Sequence, residues 1–321
     1  MIHLTDSQIE QLIGFADAIP VLDQAFRDLA GGNAAVQRRV RTEVGGVKLS
    51  TLGAVVPSQG VAGAKVYSTI AGKFNFSIVL FSTHDGSLLA TLEANAITRI
   101  RTAATTALAV RALAKPGARN VTIFGTGIQA QAHAQALAAS GALSRFRIVG
   151  IEGMAQFADR LNREFSDRDV HAEVCDGDEA VRGADVIVTA TRATGPLFDG
   201  SIVNPGTLIA AIGSSLPHTR ELDDALIARA SRIVVELREQ ACEEAGDLVQ
   251  AQAGLFDWAD TVELGDVLAG NAAGRTHADD IVLYKAVGIG LQDVALAGLA
   301  WAKYAALNTA LPASHPESRP R

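Results

Sequence analysis

The sequence predicts an α/β protein of two domains, and three observations carry that expectation. From about Val121 to Val235, short apolar runs alternate with helical stretches, the signature of a parallel, doubly wound sheet. Ahead of that region, from Val36 to Glu93, the rhythm is one of strands and hairpins. A chain of 321 residues is also too long for one small core, so two domains are the natural division.

In chain order, Leu4 to Leu29 reads as one helix, with apolar residues at Ile9, Leu12, Ile13, Ala16, Ile19, Leu22 and Phe26, and Gly31-Gly32-Asn33 stops it. Val47-Lys48-Leu49 and Ala64 to Tyr67 are short strand runs, and Phe76 to Phe81 is a stronger one. His84-Asp85-Gly86 turns it into Ser87 to Leu92, a hairpin. Ile97 to Leu113 is an Ala- and Thr-rich helix that Lys115-Pro116-Gly117 breaks. Six strands follow: Val121 to Phe124, Arg147 to Ile151, His171 to Val174, Asp185 to Thr189, Leu208 to Ile212 and Arg232 to Val235. Helices over Gln129 to Ala139, Ala155 to Phe165 and Leu222 to Ala230 space them. Gly288 to Ala306 returns to helix, and Pro312 to Arg321 reads as a frayed tail.

Composition narrows the function classes. Hydrophobic residues make up 48% and charged residues 20%, ordinary for a compact soluble protein. A net charge of −7 argues against nucleic acid or an anionic membrane as partner, though not against a local cationic pocket for a carboxylate. The two cysteines, Cys175 and Cys242, form no CxxC pair or metal spacing, and so sparse a usage fits a reducing, cytoplasmic compartment. The N-terminus lacks a signal-peptide pattern, and no apolar run reaches the roughly 18 residues that span a bilayer.

The loop Gly125-Thr126-Gly127-Ile128-Gln129-Ala130 follows an apolar strand and opens an Ala-rich helix, the context that a dinucleotide-binding Rossmann motif requires. Gly125 permits the tight turn, Gly127 lets the backbone approach a pyrophosphate, and Ala130 allows close helix–strand packing. At the end of the second strand, Glu152 is the only carboxylate, with no Arg before Arg160. An acid there accepts hydrogen bonds from a ribose 2′-OH, so NAD is favoured, with NADP the alternative.

The loop and the preceding run Thr98-Arg99-Ile100-Arg101-Thr102-Ala103-Ala104-Thr105-Thr106-Ala107 together resemble the ornithine cyclodeaminase/mu-crystallin family. The resemblance extends over nearly the whole chain, taking in Val40-Arg41-Thr42, Gly63-Ala64-Lys65, Ile212 to Pro217, Glu221-Leu222-Asp223 and Val287-Gly288. It implies a Rossmann dinucleotide-binding domain, residues 114–285, inserted in an α+β substrate-binding and dimerisation domain formed by 1–113 plus 286–321. It also implies a homodimer joined through that second domain.

The same resemblance makes Arg41, Lys65 and Arg101 the cations that gather around a substrate carboxylate. Arg forks clamp carboxylates bidentately, and Lys adds a mobile charge. Arg41 sits in the cluster Arg38, Arg39, Arg41 and reads equally well as one of a solvated group, whereas Lys65 among small and apolar neighbours needs a reason to be tolerated. The resemblance further implies that Ser77, Arg101, Thr102, Gly125, Gly127, Ile128, Gln129, Glu152, Thr191, Ile212 and Ala286 line the cofactor. Lys285 and Ala286 would approach the nicotinamide and substrate, with Val287 on the substrate side. His133 and His218 read as structural or solvent-facing.

Three activities are compatible with the resemblance: a reductase of small, cyclic imino acids or amino-acid dehydrogenase, ornithine cyclodeaminase forming proline and ammonia, and a non-catalytic mu-crystallin-like ligand binder. Retention of the loop and the three cations favours catalysis. The family's cyclodeaminases carry an Asp where this chain has Ser215, in Gly213-Ser214-Ser215-Leu216-Pro217, while mu-crystallin-like reductases carry Ser. A hydroxyl supplies neither the charge nor the basicity of a carboxylate, so Ser215 favours imine reduction. Asp223 or Asp224 is the spatial substitute to look for.

Overall fold

The computed structural model describes residues 2–309, and the expected frayed tail, Pro312 to Arg321, lies outside them. The first sheet contains β1 (Ile2–Leu4), β2 (Ala35–Val44), β3 (Val47–Val56), β4 (Val61–Ile70), β5 (Lys73–Ser82) and β6 (Leu88–Glu93). Its order is β1-β6-β5-β4-β3-β2, antiparallel except for the β1–β6 pair. The β5–β6 hairpin falls where the His84-Asp85-Gly86 turn predicts it. The runs at Val47 and Ala64 grow into strands of ten residues.

The single N-terminal helix is corrected to a strand and two helices, α1 (Asp6–Leu12) and α2 (Phe15–Ala30). Local chemistry overrides the periodicity: Thr5 and Gln8 form a capping box that starts α1. Gly14 leaves the helical region at φ −124°, and its N–H donates to Asp17, restarting the chain as α2. α3 (Asn95–Leu113) then packs against α2, its small Ala and Thr side chains allowing close burial.

The second region contributes, in chain order, β7 (Asn120–Phe124), α4 (Ile128–Ala139), β8 (Arg145–Val149), α5 (Met154–Glu164), β9 (His171–Val174), α6 (Gly177–Arg182), β10 (Val186–Thr189), β11 (Leu208–Ala211), α7 (Asp224–Arg229), β12 (Arg232–Val235), α8 (Arg238–Glu244), α9 (Gly246–Val249), β13 (Val262–Glu263), α10 (Leu264–Ala269) and β14 (Val282–Lys285). All eight strands run parallel in the order β13-β12-β14-β11-β10-β7-β8-β9. The six expected strands are present, and β13 and β14 are additional. β14 inserts between β11 and β12, and its carboxyl end leads directly into α11 (Gly290–Thr309), which packs on β3, β4 and α2 of the first region. Register aligns Val149, Phe124, Thr189, Ala211, Lys285 and Val235 along one edge, so the loops after them share one rim. Among the described residues no helix is long and apolar enough to cross a membrane.

Candidate active site at the rim of the parallel sheet

The rim begins with the glycine loop. Gly125 has φ +114°, and a Cβ there would stand 2.6 Å from the Ala190 carbonyl oxygen, so only glycine fits. Around Gly127, the N-cap of α4, no atom lies within 4 Å of an added Cβ, and no side chain caps the helix. Ile128 is exposed, the Gln129 side-chain oxygen is buried without a partner, and Ala130 is fully buried under the helix. An open backbone at an uncapped N-terminus of this length fits a pyrophosphate.

Glu152 lies exposed just beyond β8 on the same rim, whereas Arg145 opens β8 at the opposite end. Thr191, Ile212 and Ala286 follow β10, β11 and β14. The loops are tied together by Glu221, fully buried, which accepts from Thr191 N (2.8 Å), Thr191 Oγ1 (2.7 Å), Thr189 Oγ1 (2.8 Å) and Gly213 N (2.9 Å). Lys285 belongs to the same scaffold. Its ammonium donates to the Ser214 carbonyl at 2.6 Å and lies 2.8 Å from Asp247 Oδ2, fully buried.

The cations come from the first sheet and α3. A register shift between Gln37 and Val40 marks a bulge in β2, and bulges re-aim side chains. Past it, Arg41 pairs with Ser50, Ser50 with Tyr67, and Tyr67 with Phe76, so these side chains share the face that also carries Lys65. Lys65 is 2% exposed, donates to Asp293 Oδ1 at 2.7 Å, and sits 5.2 Å from the Phe76 ring centroid. Arg101 projects from α3 with Nε 3.4 Å from the same Asp293 oxygen and Nη1 2.9 Å from Gln292 Oε1. Burial drives the Lys65 ammonium down to about 7, outweighing the pull of Asp293. Burial works to raise Asp293, but Lys65 and Arg101 prevail and hold it below the usual carboxylate value.

A second trio stands beside the first. Arg39 and Arg41 both ion-pair with Glu244 of α8, whose carboxyl is raised by burial against the two arginines. Arg39 also donates to the carbonyls of Val287 (3.1 Å) and Gly288 (2.8 Å). Arg41 keeps some exposure and reaches the Ser215 carbonyl at 3.4 Å. Of the basic cluster only Arg38 is solvated, pairing with Glu243 at 2.8 Å. In each trio two cations share one carboxylate, an arrangement that can accept a further anion.

Other expectations resolve by placement. Ser77 does not join the cluster, because its register opposite Val66 puts it on the other, exposed face of the sheet. Thr102 spends its hydroxyl on the Thr98 carbonyl at 2.6 Å. Asp223 caps α7 and binds Gly200 N, and Asp224 pairs with Arg220, so neither stands in for an acid at 215. His133 is buried between Thr106 and the Gln129 carbonyl, and burial lowers it to about 4, leaving it neutral. His218 is exposed. Sequence reasoning missed Arg39, Glu236, Glu244, Gln292 and Asp293. The adjacent polar pair Gln292-Asp293 in the apolar run Gly288 to Ala300 was a usable signal, since such a pair is tolerated only with partners.

Comparison with known proteins gives a consistent picture. The profile of the ornithine cyclodeaminase/mu-crystallin family matches residues 1–306. The mouse ketimine reductase mu-crystallin is 33% identical over 298 residues, 88% of this chain and 90% of that one. A structure titled probable ornithine cyclodeaminase, from Bordetella pertussis Tohama I, superposes with TM-score 0.93 at 50% identity, covering 96% of this chain and 98% of the other. The Delta(1)-pyrroline-2-carboxylate reductase of Thermococcus litoralis, solved with NADH and L-proline, gives TM-score 0.89 at 26% identity, with 96% and 98% covered.

Proposed function

The chain belongs to the ornithine cyclodeaminase/mu-crystallin family, and from that premise we propose that it is an NAD-dependent reductase of a small cyclic imino acid such as pyrroline-2-carboxylate. The observation that carries the reading is the meeting of Lys65, Arg101 and Arg41 beside the rim that holds the glycine loop, with a serine at 215. Solved relatives with bound NAD or NADH support the cofactor. Residues 114–285 form its domain, and 1–113 with 286–321 the substrate and dimerisation domain.

Gly125, Gly127, Ile128 and Gln129 hold the cofactor phosphates, with Glu152 at the ribose and Thr191, Ile212 and Ala286 along the rim. When bound, the nicotinamide supplies the hydride that the imine carbon accepts. The chain's own residues do the rest. Arg41, Lys65 and Arg101 fix the substrate carboxylate, and Val287 closes the site beside them. Imine reduction also consumes one proton, and Lys65, lowered to about 7 by burial, can hold and release one near neutral pH. Ser215 orients the imine nitrogen through its hydroxyl.

Cyclodeamination is the second reading, favoured by likeness to the Bordetella protein described as a probable ornithine cyclodeaminase. It needs a base at the amine, and Ser215, with Asp223 and Asp224 committed elsewhere, speaks against it. We also assign a homodimer formed through the outward face of the first sheet, where Val40, Leu49, Val55 and Phe81 lie exposed. Light scattering of a monodisperse sample should give twice the chain mass. The activity is tested by following NADH and NADPH oxidation against cyclic and linear imino acids, including pyruvate with ammonia or methylamine. Rapid NADH consumption with a cyclic imino acid is expected, and failure of every imine would refute the reading.

A further inference from the structure

We propose that Glu236 and Gln292 are positioning residues that set the geometry of the Arg101 guanidinium, a proposal that rests on Arg101 being a carboxylate clamp. Glu236 is the first residue after β12 and is 2% exposed. One of its oxygens accepts from Val287 N (2.9 Å) and Gly288 N (2.6 Å). The other accepts from Gln292 Nε2 (2.5 Å) and Tyr284 OH (3.3 Å). Every bonded partner is neutral, an expensive way to bury a carboxylate if packing were its only purpose.

What a carboxylate provides here is direction. It can only accept, so it forces the Gln292 amide to present its NH2 to Glu236 and to Thr105 Oγ1 (3.1 Å). The amide oxygen is turned the other way, where it accepts from Arg101 Nη1 at 2.9 Å and from Ile289 N at 3.1 Å. The turn that Glu236 holds is also the surface beneath the clamp. Gly288 has φ +77°, and a Cβ there would lie 2.6 Å from Arg101 Nη1 and 2.8 Å from Nη2. Glu236 therefore fixes both the acceptor beside the guanidinium and the backbone under it. It joins β12 of the cofactor-side sheet to α3 and α11 of the substrate side.

The test uses the full-length protein and the variants Gln292→Met, Glu236→Gln, Arg101→Ala and the double variant Gln292→Met/Arg101→Ala. Four quantities are read: KM and kcat for pyrroline-2-carboxylate, the dissociation constant of L-proline with NADH present, and that of NADH. Gln292→Met should raise KM and the proline constant about tenfold while kcat and NADH affinity stay within about twofold. In the Arg101→Ala background Gln292→Met should add nothing further, since it acts through that side chain. Glu236→Gln should raise the same two constants about tenfold, and values unchanged from the parent remove Glu236 from the proposal; if it does not fold, Gln292→Met carries the test, because it removes no buried charge. Unchanged KM and proline affinity in Gln292→Met, or effects that multiply in the double variant, overturn the proposal. A parent protein that reduces no imine refutes the proposed reaction, and the proline constants then decide the positioning role separately.

Discussion

Replacing Arg101 with Ala probes the substrate clamp most sharply. The guanidinium side chain is 8% exposed, ion-paired with Asp293 and hydrogen-bonded to Gln292. A bound substrate carboxylate would share that dry environment, where removing one partner of a bonded charge pair costs about 2–5 kcal/mol. At about 1.4 kcal/mol per factor of ten, kcat/KM for the imino acid should fall roughly 30- to 4000-fold. This side chain makes no hydrogen bond to the glycine loop, so NADH affinity should hold. The assay is steady-state NADH oxidation against imino-acid concentration, with NADH titrated separately by protein fluorescence. A variant that keeps kcat/KM within about threefold of the parent would refute the reasoning, since no desolvated pair loses a partner that cheaply.

Three further outcomes are expected. Lys65 is faced by Asp293 from α11, Arg101 from α3 and Arg39 from β2, and burial sets it at about 7; KM for the imino acid should rise as pH climbs through that value and the charge is lost. Because this lies below the ordinary 10.5, the unfolded chain binds the extra proton between about 7 and 10.5, so stability should increase with pH across that window; Lys65→Met should flatten both profiles, and an unchanged KM–pH curve would remove Lys65 from the clamp. Gly125→Ala forces a Cβ to 2.6 Å from the Ala190 oxygen at φ +114°, and strain of about 1–3 kcal/mol should weaken NADH binding about 5- to 150-fold; undiminished affinity would place the phosphates elsewhere. NADH should bind more tightly than NADPH because Glu152 repels a 2′-phosphate. A clear NADPH preference would shift recognition to Arg160, which reaches Gln131 in α4 at 2.7 Å.

Much of the fold was legible because its signals are local. The strand–glycine–helix transition at 121–130 and the alternation behind it need no tertiary information. The N-terminal helix misled because α1 and α2 share one apolar periodicity, and only capping at Thr5 and Gly14 reveals the break. β14 was missed because four buried residues, Val282 to Lys285, carry no period, and their place between β11 and β12 is a property of topology. Arg41, Lys65 and Arg101 were legible by family resemblance, but their partners were not. Glu244 and Asp293 lie about two hundred residues away along the chain, and such pairing is fixed only when α8 and α11 pack against the first sheet. Ser77 was likewise not placeable from its strand alone, because alternation sets it on the sheet face opposite Lys65.

Ser215, with Asp223 and Asp224 committed elsewhere, is proposed to make this rim a site for net imine reduction rather than cyclodeamination. The direct measurement compares two reactions of one preparation: NADH oxidation with pyrroline-2-carboxylate, and proline plus ammonia formed from ornithine with catalytic NAD. The account predicts stoichiometric NADH consumption in the first and little product in the second. Proline and ammonia in equal amounts, formed at a rate rivalling imine reduction, would contradict it.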